Sequence, residues 1–524
     1  MTKKSKLLAC ILLTAGCFYF TSCDSTDELI PDKSAPEGLS KPGALGFLGF
    51  SKDLDGNYIV LIKQNNVFDN TEMRLSKASP NGDFIADNVL LGATSTDNGK
   101  TDPGNPGGAG SGRLAYNPDK NEISVFSCFT GKGHQYSTYS ILNNDNALFG
   151  QSVDKIFGNM SYSHCFDQRT IYHSGTRQFY QLSHGDAYPR ALGMFATNSD
   201  DKNKTFWRYL VRPPKSTGGY GGNVTHSRIG DLAVFDNGTV AATTSTPCYD
   251  NDWMNTYLPA DKRPCYSHRL TDDALSVKIW NDGIGEKYPK NVFLHLIPSK
   301  SKTIVQDGSI GICPEAINLS GYAKGSHRAG ALPKTAIVGN KVLVAWLSYS
   351  DYGYNHNGNL SHSVFCLYDT ATRSVVRKDS VPGAVLYHTV SILSDPADAN
   401  TVKWITPDQS KFIYHELNVS TFEASGLQAA YKTKDIPLQI ENAATVTRTG
   451  DKSSGQFGPL GWYGSNPDID YVIDNQGNID LLWLNLAAKT TLYTNRDFYP
   501  LYVTTINSNG QVTKVVNIQV RASK

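Results

Sequence analysis

Histidine, tyrosine and arginine gather in one part of this 524-residue chain. The stretch from Ser163 to Arg190 reads SHCFDQRTIYHSGTRQFYQLSHGDAYPR, with a Ser-His pair at each end of a Ser174-Gly175 turn signal. Ser/Thr-His pairs also open the hairpins at His226 and His327, and an arginine follows His164, His226 and His327 within a few residues: Arg169, Arg228 and Arg328. These side chains have a joint chemistry. A guanidinium meets a carboxylate through two parallel hydrogen bonds. An imidazole takes a proton near neutral pH, and a phenol can give one to a leaving oxygen. Such a set suits an acidic sugar, and it supplies what β-elimination from a uronate needs.

The elements that must position these residues are short strands. GNYIVLIKQ, NEISVFSCF, GTVAATTST, NKVLVAWLSYS and GNIDLLWLN each follow a turn and a partner strand. Asp-Gly, Asn-Gly and Gly-Asn at the tips suit the positive φ of tight hairpins. The hairpins lie near residues 47–63, 113–127, 164–184, 226–249, 327–350, 388–415 and 471–485. No long amphipathic helix intervenes. Self-similarity at about 50–60 residues predicts an all-β fold, a β-propeller with four strands per blade and seven blades, six being the next count. A pair of β-sandwiches would explain the strands but not the recurring hairpin. Insertions at 96–112 and 250–290 are assigned to loops.

Aligned by their turns, the hairpins place the chemistry. His164 lies ten residues before Ser174 and His184 nine after Gly175, so the two should face each other at the hairpin's open end. His226 and Tyr249 each stand eleven residues from the Asn237-Gly238 turn, and His327 stands twelve before Gly339. In a propeller the first strands line a central channel. His164, His226 and His327 should then converge at its mouth, with His184, Tyr249, Arg228 and Arg328 close by. The competing role is a buried structural histidine, as in WD-type propellers. His184 differs because HGDAYPR, with Asp186, Tyr188 and Arg190, has the Gly and Pro of a shaped loop. Asp167, Asp186, Asp231 and Asp250 are a weaker set for a glycosidase pair. The repeated Asp-boxes of a sialidase are missing from the sequence. Trp253, Tyr249 and Tyr257 could stack on sugar rings or pack their own loop.

This layout resembles that of the seven-bladed propeller polysaccharide lyases. The resemblance implies catalytic roles for His164, His184, Tyr249 and Arg228, and substrate contacts from Arg190, His226, His327 and Arg328. The usual sequence signatures of those lyases are missing. SHCFDQR…HGDAYPR is also similar to a motif of uncharacterised secreted propeller proteins.

The chain opens with Lys3, Lys4 and Lys6, an apolar run from Leu7 to Phe20, then Thr-Ser-Cys23. This reads as a secretory signal, and the Cys resembles the lipobox of bacterial lipoproteins. Residues 1–22 are then a signal peptide, 23–42 a polar tether from a lipidated Cys23, and 43–524 the propeller. Asp24, Asp27 and Glu28 resemble the surface-export signal of Bacteroides-type lipoproteins. The expectation is an outer-membrane, cell-surface protein held only by its lipid. Its partner is polysaccharide, either as substrate or as cargo of a glycan-uptake complex; a protein-interaction propeller is the reading from another class. Loss of three lysines and no acid takes the formal charge from +1 to −2. Neither value favours nucleic acid. No zinc spacing or P-loop occurs, so no metal and no cofactor is expected, although loop carboxylates could hold Ca²⁺. Cys128, Cys165, Cys248, Cys265, Cys313 and Cys366 remain after maturation; Cys248 and Cys265 flank one loop and make the best-placed disulfide, with free thiols as the alternative.

Overall fold

The computed structural model describes residues 44, 46–65, 71–91, 109–131, 134–161, 166–185, 191–197, 200, 206–211, 228–247, 289–298, 316–323, 325–351, 358–386, 389–445, 469–492 and 496–520. Among them the strands form an all-β propeller: five four-stranded antiparallel sheets, a two-stranded ribbon, and an eight-stranded sheet in which one parallel bridge, Lys290–Ala329, joins two further antiparallel sets of four, which we count as two blades. Blade 1 is β1 (Gly46–Lys52), β2 (Tyr58–Asn65), β3 (Thr71–Ala78) and β4 (Phe84–Leu91). Blade 2 is β5 (Ala109–Asn117), β6 (Glu122–Gly131), β7 (His134–Asn143) and β8 (Ser152–Ser161). Blade 3 is β9 (Phe166–His173), β10 (Gln178–Gly185), β11 (Ala191–Thr197) and β12 (Phe206–Val211). Blade 4 is β13 (Arg228–Val234), β14 (Val240–Pro247), β15 (Lys290–Ile297) and β16 (Ala316–Asn318). Blade 5 is β17 (Ala329–Val338), β18 (Lys341–Ser350), β19 (Asn359–Asp369) and β20 (Ser374–Pro382). Blade 6 is β21 (Leu393–Asp395), β22 (Asp398–Asp408), β23 (Lys411–Asn418) and β24 (Tyr431–Pro437), with helices α1 (Val419–Ser425) and α2 (Leu427–Ala430) before its last strand. Blade 7 is β25 (Ile469–Ile473) and β26 (Ile479–Leu484), then an excursion through β27 (Thr490–Leu492) and β28 (Arg496–Phe498), then β29 (Leu501–Ile506) and β30 (Val512–Ile518).

The first strands are innermost. β1 packs on β5, β5 on β9, β9 on β13, β13 on β17, β17 on β21, and β25 returns to β1. We call the end where these strands begin the upper end. The predicted hairpins are the first two strands of each blade, with two differences. The sixth, placed at 388–415, takes in three strands, because β21 is only three residues long and turns back at once into β22. The insertion assigned to 96–112 stops earlier, since β5 begins at Ala109.

The turns explain why the hairpin repeats. In Asp53-Leu-Asp-Gly-Asn57 the Asp53 carboxylate accepts from the backbone N–H of Asp55 (3.1 Å) and Asn57 (2.8 Å). Asp474 accepts from Gln476 and Asn478 in the same way, each at 2.9 Å. The side chain thereby holds a type of turn that ends on a left-handed residue, and Gly56 (φ 81°) and Gly477 (φ 77°) supply it without a Cβ clash.

Between blades the core is apolar and continuous. Trp346, Trp404 and Trp483, all fully buried, occupy the second strands of blades 5, 6 and 7. Each indole N–H has a partner: Tyr322 Oη, the Val385 carbonyl and Thr504 Oγ1. Buried ion pairs staple the lower end. Lys77 Nζ meets Asp53 at 2.9 Å and donates to the Asn144 carbonyl of blade 2. Lys403 meets Asp395 at 2.6 Å and donates to the Gly477 carbonyl of blade 7. The ring closes by packing rather than by strand exchange. Phe47, Phe50, Tyr58, Val60 and Ile62 of blade 1 share a core with Leu482, Leu501, Val503 and Ile518 of blade 7.

Candidate functional site

Of the residues singled out above, His327 and Arg328 are described and lie at the upper end, just before β17. His164, His226 and His327 each stand two positions before an innermost strand, at Phe166, Arg228 and Ala329. Equivalent positions in a propeller lie on one face. His164, His226, Tyr249, Arg190 and Cys23 are outside the described residues, as are Asp167 and Arg228 beyond their backbone. His184 is placed by its strand: β10 pairs it with Phe166, after a bulge between Ser183 and His184. The expected partner, His164, is two residues away from that register position. Of the cysteines, Cys366 is buried and free; Cys248 and Cys265 are outside the described residues.

The described part of the upper end carries a His–Tyr–Arg cluster between blades 4 and 5. Arg328 is exposed and lies 5.9 Å from the centroid of the Tyr322 ring, a cation–π distance. The Tyr322 hydroxyl is engaged: it donates to Ser348 Oγ (2.9 Å) and accepts from Trp346 Nε1 (3.1 Å). Its backbone is held as well, by N–H donation to Asn291 Oδ1 at 2.7 Å. Tyr322 is thus a fixed platform for a guanidinium, not a free acid. His362 of β19 has Ser361 Oγ 2.7 Å from its Nδ1. Partial burial, and then the Arg328 charge, hold His362 below the usual imidazole range. It is therefore neutral near pH 7 and able to accept a proton. His327 is exposed and takes a left-handed backbone (φ 50°), unusual for a side chain of its size. Sequence spacing found His327 and Arg328 but missed Tyr322 and His362. Neither follows a blade-start rule: Tyr322 lies in a loop, and His362, although it stands in a Ser361-His362 pair, is on a third strand.

Inside the channel, Arg169 of β9 donates to Asp231 of β13 at 2.9 Å. Asp231 is fully buried and also accepts from Ser391 Oγ (2.6 Å) and the Leu232 N–H (2.9 Å). A buried carboxylate this well satisfied bonds three blades together. It is no member of a glycosidase pair, which corrects the weaker reading of Asp231. The bulge of β13 between Ile229 and Leu232 turns Asp231 inward. Gly230 permits it, because a Cβ there would come within 2.4 Å of Pro333. Nearby Asp470 accepts from the Phe50 N–H of blade 1 at 2.9 Å. Burial raises its carboxyl to about 6 although Arg169 and Arg113 pull the other way.

Two other histidines hold structural positions. His295 Nε2 pairs with Thr244 at 2.8 Å and His415 Nε2 with Thr406 at 2.7 Å. Both histidines sit on a third strand with the threonine on the second, and burial pushes both imidazoles down to about 3. His415 is also stacked on Trp404, at 4.9 Å between ring centroids, and shares Tyr431. Among the described residues no group of three or more His, Cys, Asp or Glu could hold a metal ion.

No protein-family model matches the chain, and no curated protein matches it. Solved structures do. The chain is similar to the polysaccharide lyase Uly1, at 7% identity over 91% of this chain and 94% of that one, with a TM-score of 0.48. It is similar to a PL25 ulvan lyase bound to -[GlcA(1-4)Rha3S]-, at 8% identity over 90% and 95%, TM-score 0.45. It is also similar to the GH93 α-L-arabinofuranosidase of Fusarium graminearum, at 9% identity over 78% and 95%, TM-score 0.39. Identities this low give no residue-by-residue correspondence.

Proposed function

We propose that this chain handles polysaccharide at its upper face, and that its ligand is an acidic glycan cleaved by β-elimination. The observation that carries the reading is Arg328, exposed on the Tyr322 ring, with no carboxylate within ion-pair distance among the described residues and neutral His362 beside it. A guanidinium so placed suits the carboxylate of a uronate. Neutralising that carboxylate acidifies the carbon next to it. An imidazole takes that proton, and the electron pair moves to form a carbon–carbon double bond. The glycosidic oxygen leaves with a proton from an acid. In this reading His164 and His184 work near the reacting carbon, Tyr249 serves as the acid and Arg228 holds the charge. Arg190, His226, His327 and Arg328 bind neighbouring sugars, and His362 joins them. The protein would sit at the outer-membrane surface through a lipid on Cys23, the 23–42 tether carrying the 43–524 propeller.

The test is a panel of uronate polymers incubated with the purified propeller, following absorbance of the unsaturated uronate product. Product from one polymer, reduced at least about 100-fold in His184→Ala, supports the lyase. Retention of the same polymers in affinity gels without any product would replace it by a non-catalytic binding protein of a glycan-uptake complex. Neither product nor retention would leave the polysaccharide reading without support.

A further inference from the structure

Blade 1 holds a second cation that, among the described residues, no anion answers. Lys63 ends the apolar run of β2, opposite Gly46 at the start of β1, and so lies at the upper end. It is only 8% exposed. Strand alternation puts it on the face of Ile59 and Leu61, which pack against Leu114 and Val125 of blade 2. Its side chain therefore enters the seam between blades 1 and 2. Arg113 of β5 stands across that seam, its Nη1 donating to the Leu48 carbonyl at 3.1 Å and the Gly112 carbonyl at 2.7 Å. Leu48 is the bulged residue of β1, between the pairs Phe47–Ile62 and Gly49–Leu61, so Arg113 is anchored one pair from Lys63. Among the described residues no carboxylate lies within ion-pair distance of Lys63, and no carbonyl or hydroxyl accepts from it. Its ammonium is held down to about 8, by burial first and then by the Arg113 charge. A buried charge without a partner is costly. The lower end of the same blade shows what the fold does otherwise, giving buried Lys77 both Asp53 and a carbonyl.

We infer that the upper seam between blades 1 and 2 is an oxyanion site, in which Lys63, beside the Arg113 guanidinium, takes a carboxylate, sulfate or phosphate group. The group is either a free anion or a charged substituent of a bound glycan. Only the second source rests on the function proposed above.

The test uses the whole chain and inorganic sulfate. Thermal unfolding is followed against sodium sulfate, with sodium chloride at equal ionic strength as control. The wild type should gain several degrees of Tm along a saturable curve that chloride does not reproduce. Lys63→Met should fold and raise the sulfate midpoint at least about tenfold, while Lys63→Arg keeps it within about threefold. The sulfate curve is read without glycan or turnover, so failure of the glycan reading would not touch this one. Replacing sulfate by glucuronate identifies the second source: a matching curve, lost in Lys63→Met, brings the sugar acid to this seam. An equal chloride response in the wild type, or an unaltered sulfate curve in Lys63→Met, would overturn the site.

Discussion

Lys77 and Lys63 are buried lysines of one blade, at opposite ends of it, and they are treated differently. Lys77 is paired, and its Asp53 also accepts from Asn57 and, across the seam, from Asn144. Burial alone would raise the Asp53 carboxyl; Lys77, Asn57 and Asn144 together outweigh it and hold the group below its usual range. Lys63 has a second cation for a neighbour. The lower end thus spends its charges on joining blades, whereas the upper end leaves Lys63 open in the seam and Arg328 on the surface. Charge that is closed within the chain reads as architecture; charge left open reads as a place for something else.

The comparison is most sharply broken at Asp53. Asp53→Ala leaves Lys77 buried without its carboxylate and should cost about 3–5 kcal/mol of unfolding free energy, read from denaturant midpoints. A loss under about 1 kcal/mol would mean that the paired end is not paired in any energetic sense. Acid should act in the same direction. Because Asp53 is depressed in the folded state, its contribution is present above the unfolded carboxylate value near 4 and is lost as pH falls through the lower folded value. Lys63→Met should move stability the other way, by about 1–3 kcal/mol at pH 7. The Lys63 ammonium is depressed to about 8 from an unfolded value of 10.5, so the wild type is penalised below about 8. The variant's advantage should be full there and vanish as pH rises through 8 toward 10.5. An advantage that does not fade in this window would refute the unpaired charge. Tyr322→Phe strands the Trp346 N–H and should cost about 1 kcal/mol, with weaker retention of acidic glycan as Arg328 loses a fixed platform. Arg328→Ala should change stability by less than about 0.5 kcal/mol, because nothing buried depends on it. Its effect belongs in binding, where retention on uronate polymer gels should fall at least about fivefold.

The fold was largely legible because its signal is local. Asp53-Leu-Asp-Gly-Asn57 and Asp474-Asn-Gln-Gly-Asn478 announce turns, and the runs beside them alternate or stay apolar. Blade 6 was misread where locality fails: β21 is too short to show a period. The candidate site was legible at its blade starts, where His327 and Arg328 follow a spacing rule. It was illegible at Tyr322 and His362, which meet Arg328 from a loop and from a third strand. Lys63 was invisible for another reason. At the end of YIVLIKQN it looks like the polar residue that closes a strand, and only the seam reveals what it lacks. The register offset at His184 comes from the turn, which spans residues 174–177 between His173 and Gln178 and not Ser174-Gly175 alone.

The manner of ring closure also has a consequence in time. Blade 1 is made entirely from early residues and its covering partner, blade 7, from late ones; the Phe50–Asp470 bond spans 420 positions. During synthesis at about 5–20 residues per second, Phe47, Tyr58 and Ile62 must wait roughly 20–80 seconds for the surface that shields them. A growing chain therefore carries an uncovered apolar sheet until blade 7 has been made. Whatever attends it as it is made has to cover that sheet until Leu482, Leu501, Val503 and Ile518 arrive.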